Sequence, residues 1–409
     1  MEIPIIINFE QLAGTYEITP ASEIKDRIGR FQSLLQREGI DGALIQQLID
    51  RFYFSGSIQD GVIIIPAEGE AIFLCRRSIS RAGRESTLQI VPFKSFRELP
   101  DALVNMGISD SARLGLELDV IPAALHLRYV SLFPNTDWAD LGGLVREVRA
   151  VKSTYEIDRI RAAGIQVGRI MERAAEVLSP GLREVDLASV LEMRARELGH
   201  QGILRMRGFN QELFYGHIIT GEHASFMSHI DAPSGGMGLN PSIAQGAGYR
   251  VIQKGDPVNV DFVGNVQGYL IDQTRLMFLG QPDATLSDGF RQARDIQDRV
   301  IDAARPGVTW SSLYDIALSA ADELGVLDRF MGPPGEQVRF IGHGVGLEVD
   351  EYPFLAPRLD MELQQGMVFA LEPKIFHPGR GLTGIEDTYL VTRDGTERLT
   401  VTEREIIVV

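Results

Sequence analysis

Apolar residues at Ile24, Ile28, Phe31, Leu34 and Leu35 recur at helical spacing through residues 23–38, which predicts an amphipathic helix. The runs GALIQQL, GVIIIPAEGEAIFLC and LQIVPF that follow are short, rich in β-branched residues and broken by Gly and Pro, so they predict strands. With the helical DALVNMG they describe an α/β domain that ends near residue 150. At Ser153 the pattern changes. Ser153 and Glu156 form a capping-box pair, and Ile157, Ile160, Gly164, Val167, Met171 and Leu178 keep helical spacing behind it. A boundary there gives two domains, residues 1–150 and 151–409.

The second domain repeats itself. SPGLREVDLASVLEMRARELG carries Pro180 to Gly199, and RPGVTWSSLYDIALSAADELG carries Pro306 to Gly325 with the same separation. Each copy is a Pro-Gly start and a helix ending in Glu-Leu-Gly, preceded by a long helical segment and followed by an acidic hairpin. Two such halves can pack about a pseudo-twofold axis and bring their acids together.

Those acids are Asp261 in PVNVDFVG, Asp272 in GYLIDQTRLMF, Glu372 in GMVFALEP and Glu386 in GIEDTYLVT, joined by His343 in FIGHGVG. Residues 257–263 and 269–278 read as a hairpin whose loop of about five residues, marked by Gly264, Asn265 and Gly268, centres near residue 266. That register sets Asp261 opposite Asp272 on one sheet face. Glu372 and Glu386 flank the turn-rich HPGRG at residues 377–381 and repeat the arrangement. Any one of these acids alone would read as a solvated strand residue. Four of them opposed in pairs need raised pKa values or cations. Oxygen donors with one imidazole suit hard or borderline divalent ions, Mn²⁺ before Zn, Co or Fe. Bridging carboxylates can hold two ions, with a bridging hydroxide as nucleophile.

Composition narrows the partners. The 409 residues hold 40 Lys plus Arg against 56 Asp plus Glu, a formal charge of −16, which argues against nucleic acid or an anionic membrane as partner. Cys75 is the single cysteine, so there is no internal disulfide framework. The opening MEIPIIINFEQLAG is unlike a secretory signal, and no long apolar stretch follows, so the expectation is a soluble cytoplasmic protein.

With these motifs in place, residues 151–409 resemble the pita-bread metallopeptidases, which include proline aminopeptidase, prolidase and creatinase; residues 1–150 resemble the N-terminal domain of the proline-specific members and creatinase. KGDPVNVDF, GHGVGLEVDEYP and GMVFALEP followed by GIEDTYLVT carry the likeness. It implies an α/β creatinase-like domain ahead of an α+β pita-bread domain with an internal pseudo-twofold repeat. It implies that Asp261 ligates one metal, that His343 and Glu372 ligate the other, and that Asp272 and Glu386 bridge, with Thr274 hydrogen-bonding a ligand. It also implies a small peptide or peptide-like substrate, no organic cofactor and a homodimer.

Three positions depart from the family pattern. Asp350 stands where a second histidine follows the metal histidine, Gln245 where an earlier histidine is expected, and Gly384 where an arginine opens RIED. Gln cannot titrate, while Asp350 keeps the capacity of a base. An insert at residues 224–242, ASFMSHIDAPSGGMGLNPS, is longer than in typical peptidases of the family and could form a lid or substrate wall. His217, His223 and His229 lie in or near it, and His223 and His229 are the preferred replacements for a missing donor. The leading expectation is a dinuclear proline aminopeptidase or prolidase-like hydrolase. The alternatives are an enzyme of this fold cleaving a C–N or C–S bond in a small zwitterion, and an inactive metal binder.

Overall fold

The computed structural model describes Gly14 and residues 17–409. Apart from Gly14, the MEIPIIINFEQLAG segment weighed above as a signal lies outside the described residues. The chain divides into two compact units, one ending at Arg149 and one running from Ala150 to Val409. Among the described residues no helix is long and apolar enough to cross a membrane.

The first unit opens with α1 (Ala21–Arg37), which buries Ile24, Ile28, Phe31 and Leu35, largely the stripe its periodicity marks. Then come β1 (Gly42–Ile45), α2 (Leu48–Ser55), β2 (Gly61–Pro66), β3 (Ile72–Cys75), α3 (Ile79–Glu85), β4 (Gln89–Pro92), α4 (Leu99–Asn105), β5 (Arg113–Leu116), α5 (Ala123–Leu132), β6 (Asp137–Asp140) and α6 (Gly142–Ala150). The strands form one mixed sheet in the order β4-β3-β2-β1-β5-β6. The predicted strand GALIQQL is shorter than its apolar run. It stops at Ile45 because the Gln47 side chain accepts from the amides of Ile49 and Asp50 and starts α2 instead.

The second unit begins with α7 (Thr154–Val177), whose capping box closes between Ser153 and Glu156 as the sequence predicts. After α8 (Glu184–Glu197) and β7 (Ile218–Thr220) come the long strands β8 (Pro257–Val266) and β9 (Tyr269–Phe278). The second half opens with α9 (Ala284–Ala303) and α10 (Trp310–Glu323). It continues through β10 (Gly342–Gly344), β11 (Glu351–Leu355), β12 (Val368–Leu371), β13 (Lys374–His377), β14 (Gly381–Gly384), β15 (Asp387–Val391), β16 (Thr396–Arg398) and β17 (Ile407–Val408). The repeat is visible in the backbone: α8 and α10 are both 14 residues long, each preceded by a glycine of positive φ, Gly181 at +90° and Gly307 at +87°. One sheet runs β17-β9-β8-β7, a second β11-β10-β12-β15-β16, and β13 and β14 form a hairpin.

The β8–β9 register corrects the sequence reading. The strands reach Val266 and Tyr269, leaving a two-residue turn at Gln267 and Gly268, both with positive φ. Asp261 therefore pairs with Thr274, and Asp272 with Val263, so the two acids share a face but stand on a diagonal. Gly264 is a strand residue. A Cβ there would lie 2.6 Å from the Ala163 carbonyl of α7, so glycine marks a close helix approach rather than a turn. The second acid pair keeps the expected register. Leu371 pairs with Asp387 and Lys374 with Gly384, which leaves Glu372 and Glu386 opposite one another in the break between the two ladders.

Candidate metal centre

Each half of the unit delivers its acids through backbone that leaves little freedom. Asp272 sits on β9 with its amide bonded to Thr388 Oγ1 (3.1 Å), while that hydroxyl donates to the Asp272 carbonyl (2.8 Å). Next to it the Arg275 guanidinium is buried, bonded to the carbonyls of Thr274 and Glu386 and to Asp387 Oδ1 at 2.6 Å. This fixes β9 against β15, so Asp272 and Thr274 come up against Glu386. His343 lies on β10, squeezed between β11 and β12. Its neighbours must be glycine, because a Cβ on Gly342 would strike the Ala370 carbonyl and one on Gly344 the Tyr352 carbonyl.

The five predicted donors line one solvent-open cavity. Donor atoms of Asp272, His343 and Glu386 lie within 4.8 Å of one another, and His343 Nε2 stands 3.7 Å from Glu372 Oε1. His343 Nδ1 faces the Gly344 carbonyl at 3.3 Å, which favours the tautomer that leaves Nε2 open toward the acids. Thr274 Oγ1 donates to Glu386 Oε2 at 2.8 Å, and Glu386 Oε1 is buried without a hydrogen-bond partner. An oxygen in that state fits a cation.

The electrostatics point the same way. Burial, then repulsion from Asp261 and Glu372, pushes the Asp272 carboxyl well above its usual range. Burial and Asp272 do the same to Glu386. Among the described residues Lys374, which the sequence reading passed over, is the cation that answers them inside the cluster. Its Nζ lies 2.8 Å from Glu372 Oε2, 3.1 Å from Asp261 Oδ2 and 3.6 Å from Glu386 Oε2. Burial works to lower the pKa of this ammonium, but Asp261, Glu372 and Glu386 together hold it well above its ordinary value. One ammonium among four acids leaves a deficit that divalent ions can fill, so the donor set fits the metals the family implies.

The residues weighed as proton handlers are placed differently. Both Asp350 oxygens accept backbone amides, Arg207 at 2.8 Å and Gly208 at 3.0 Å, so this side chain at the cavity rim clamps the 205–208 segment. Gln245 is buried. It donates to the Glu212 carbonyl (2.8 Å), and its Oε1 faces His217 Nε2 (3.3 Å). His223 bonds Glu184, which also accepts from the amides of Thr220 and Gly248 and so pins the insert; His229 faces Ser228. Neither His223 nor His229 lines the cavity, whereas His217 does, with Ile230, Asp231, Ala232 and Ser234 of the insert. His217 Nδ1 faces the Ser234 carbonyl at 3.1 Å, so both ring nitrogens meet oxygens and a neutral ring donates to one at a time. Burial lowers its pKa while Asp261 opposes that shift.

Residues 158–393 match metallopeptidase family M24, and residues 27–151 match the creatinase/prolidase N-terminal domain. The chain is similar to an Xaa-Pro dipeptidase of Pyrococcus furiosus, 28% identical over 390 residues that cover 94% of this chain and all of that one. Among solved structures it is similar to an Xaa-Pro dipeptidase from Bacillus anthracis, with a TM-score of 0.80 and 26% identity, covering 94% of this chain and 100% of that one. An X-Pro aminopeptidase from Thermotoga maritima follows, with a TM-score of 0.77 and 25% identity over 93% of this chain and 100% of that one. The chain belongs to metallopeptidase family M24, with a creatinase/prolidase N-terminal domain ahead of its metal-dependent peptidase unit.

Proposed function

We propose that the protein hydrolyses small peptides with proline after the scissile bond, as a prolidase or proline aminopeptidase, using Mn²⁺ held by Asp261, Asp272, His343, Glu372 and Glu386. The observation that carries this is the meeting of those five side chains in a cavity with an apolar wall of Met206, Leu213, Val263, Phe340, Val349 and Phe354. That wall suits a pyrrolidine ring and excludes water beside the scissile bond. Bound divalent ions supply Lewis acidity and an activated water.

The chain's own residues do the rest. Thr274 holds Glu386 Oε2, and Oε1, which has no hydrogen-bond partner, would be the oxygen available to a bound ion. His217, not His223 or His229, is the imidazole that borders the substrate, steadied by Gln245 and the Ser234 carbonyl. Asp350 keeps Met206 in the wall by anchoring the adjoining amides. The setting we propose is a cytoplasmic homodimer of chains with domains 1–150 and 151–409, which the family resemblance supports. The matched relatives are peptidases by name, which favours peptide hydrolysis over cleavage of a C–N or C–S bond in a small zwitterion.

A panel of Xaa-Pro dipeptides, longer Xaa-Pro peptides and Xaa-Ala controls, with and without Mn²⁺ after chelation, tests the reading. Mn²⁺-dependent release of products from the proline substrates alone is expected. Turnover of the alanine series at equal kcat/KM would remove the proline assignment, and no turnover of any peptide would remove the peptidase assignment.

A further inference from the structure

Lys374 and Gly384 face each other as a directly paired position of the β13–β14 hairpin. A Cβ on residue 384 would lie 2.7 Å from Lys374 Cγ, 2.9 Å from the Pro373 carbonyl and 3.2 Å from Lys374 Cα. The lysine stem thus occupies space that exists because residue 384 is glycine. It is at this same position that the family resemblance leads one to expect an arginine.

The ammonium at the end of that stem takes particular oxygens. It reaches Oε2 of Glu372 and Oε2 of Glu386, while Glu372 Oε1 is the atom facing His343 and Glu386 Oε1 is the one left without a partner. It also holds Asp261 Oδ2. From each glutamate it faces one oxygen, leaving Glu372 Oε1 to His343 and Glu386 Oε1 without a hydrogen-bond partner. Such support of a donor through its far oxygen fixes the orientation of the near one.

We propose that Lys374 is the positioning residue of this metal centre, delivering from β13 the cation that the family pattern places on the opposite strand at 384, and that Gly384 is its required complement. The inference rests on the metal-centre reading above. It assigns Lys374 no contact with substrate.

The test is isothermal titration of chelated protein with MnCl₂, with folding checked by near-ultraviolet circular dichroism. Lys374→Met keeps the buried volume and loses the cation, and should bind Mn²⁺ about 10- to 100-fold more weakly than wild type. Gly384→Arg alone should also bind weakly, because the new side chain meets the lysine stem. The double variant Lys374→Gly with Gly384→Arg returns a cation from the other strand and should recover most of the loss. Lys374→Met binding as tightly as wild type or more tightly overturns the proposal, since the ammonium would then be idle or a competitor of the ion. A folded double variant no better than Lys374→Met overturns it too. If the double variant does not fold, the Lys374→Met titration decides alone. Wild-type protein that binds no Mn²⁺ removes the metal centre and this inference with it, whereas equal binding by wild type and Lys374→Met removes only the inference.

Discussion

Replacing Asp272 with Asn should make the metal-free protein more stable while destroying its response to metal. Asp272 is buried, and its pKa is driven up by burial and by the charges of Asp261 and Glu372. Asn keeps Oδ1 for the amide of Gln273, now bonded at 2.9 Å, and changes only the charge and one atom. The diagonal placement against Asp261 separates the side chains by about 7 Å, and at an effective dielectric constant of about 20 two unit charges at that distance repel by about 2 kcal/mol. Glu372 adds to this repulsion and Lys374 offsets part of it. A net gain of about 2 kcal/mol moves the melting midpoint of a unit this size upward by about 5 °C. Because the folded carboxyl retains a proton that the unfolded chain releases, metal-free wild type should lose stability as pH rises above about 4 toward the raised folded pKa, and Asp272→Asn should not show that slope. Thermal melts in EDTA from pH 5 to pH 9, repeated with Mn²⁺, measure both effects. Wild type at an ion concentration of about 1,000 times Kd should gain about 4 kcal/mol, and the variant almost none. A variant less stable than wild type at pH 8 without metal, or one that keeps the wild-type metal shift, would refute the reasoning.

Other consequences are as direct. Arg275→Met takes from the fully buried Asp387 its partner at 2.6 Å but leaves Thr400, Arg398 and Arg404 facing that carboxylate, so in urea unfolding it should cost less than the about 3 to 5 kcal/mol of a stranded buried charge, and a larger loss would contradict this sharing. Asp350→Ala strips two backbone amides of their acceptor at roughly 1 to 3 kcal/mol each and loosens the segment carrying Met206, so KM should rise more than kcat falls; a fall in kcat with KM unchanged would speak instead for a role in proton transfer. His200 and His377 are buried with pKa values lowered from 6.5 to about 4, His200 chiefly by burial and His377 by burial and Arg329. The unfolded rings take up protons that the folded ones refuse, so each contributes about 3 kcal/mol that is present above pH 6.5 and lost as the pH falls to about 4. Metal-free His377→Asn should show a shallower acid limb in a pH series of melts, and an unchanged limb would contradict this.

The residue pattern made the domain order, the repeat and the converging acids legible because each depends on local periodicity: helical stripes, Pro-Gly starts, and acids set in apolar strands. What it hid was tertiary. Gly264 reads as a turn residue on its own, yet it is a strand residue closely approached by Ala163, and the residue opposite Asp261 moves by two positions, from Asp272 to Thr274. Lys374 looks like an ordinary strand lysine until its partner across the hairpin, Gly384, is known. A signal was present, since lysine two residues after Glu372 lies on the same strand face as that acid. Asp350 could be read from sequence as a base, but the amides of Arg207 and Gly208 that occupy it come from a segment far away in the chain. Among the three histidines near the insert, spacing alone did not reveal that His217 lines the cavity.

The central claim is that divalent ions bind among these acids. Anomalous diffraction above and below the manganese edge, from crystals of chelated protein reloaded with MnCl₂, tests it most directly. The account predicts a peak about 2.0 to 2.3 Å from Asp272, His343 Nε2 and Glu386 Oε1, with Lys374 still holding the far oxygens. No peak there at saturating Mn²⁺, or a peak only elsewhere on the protein, would contradict it.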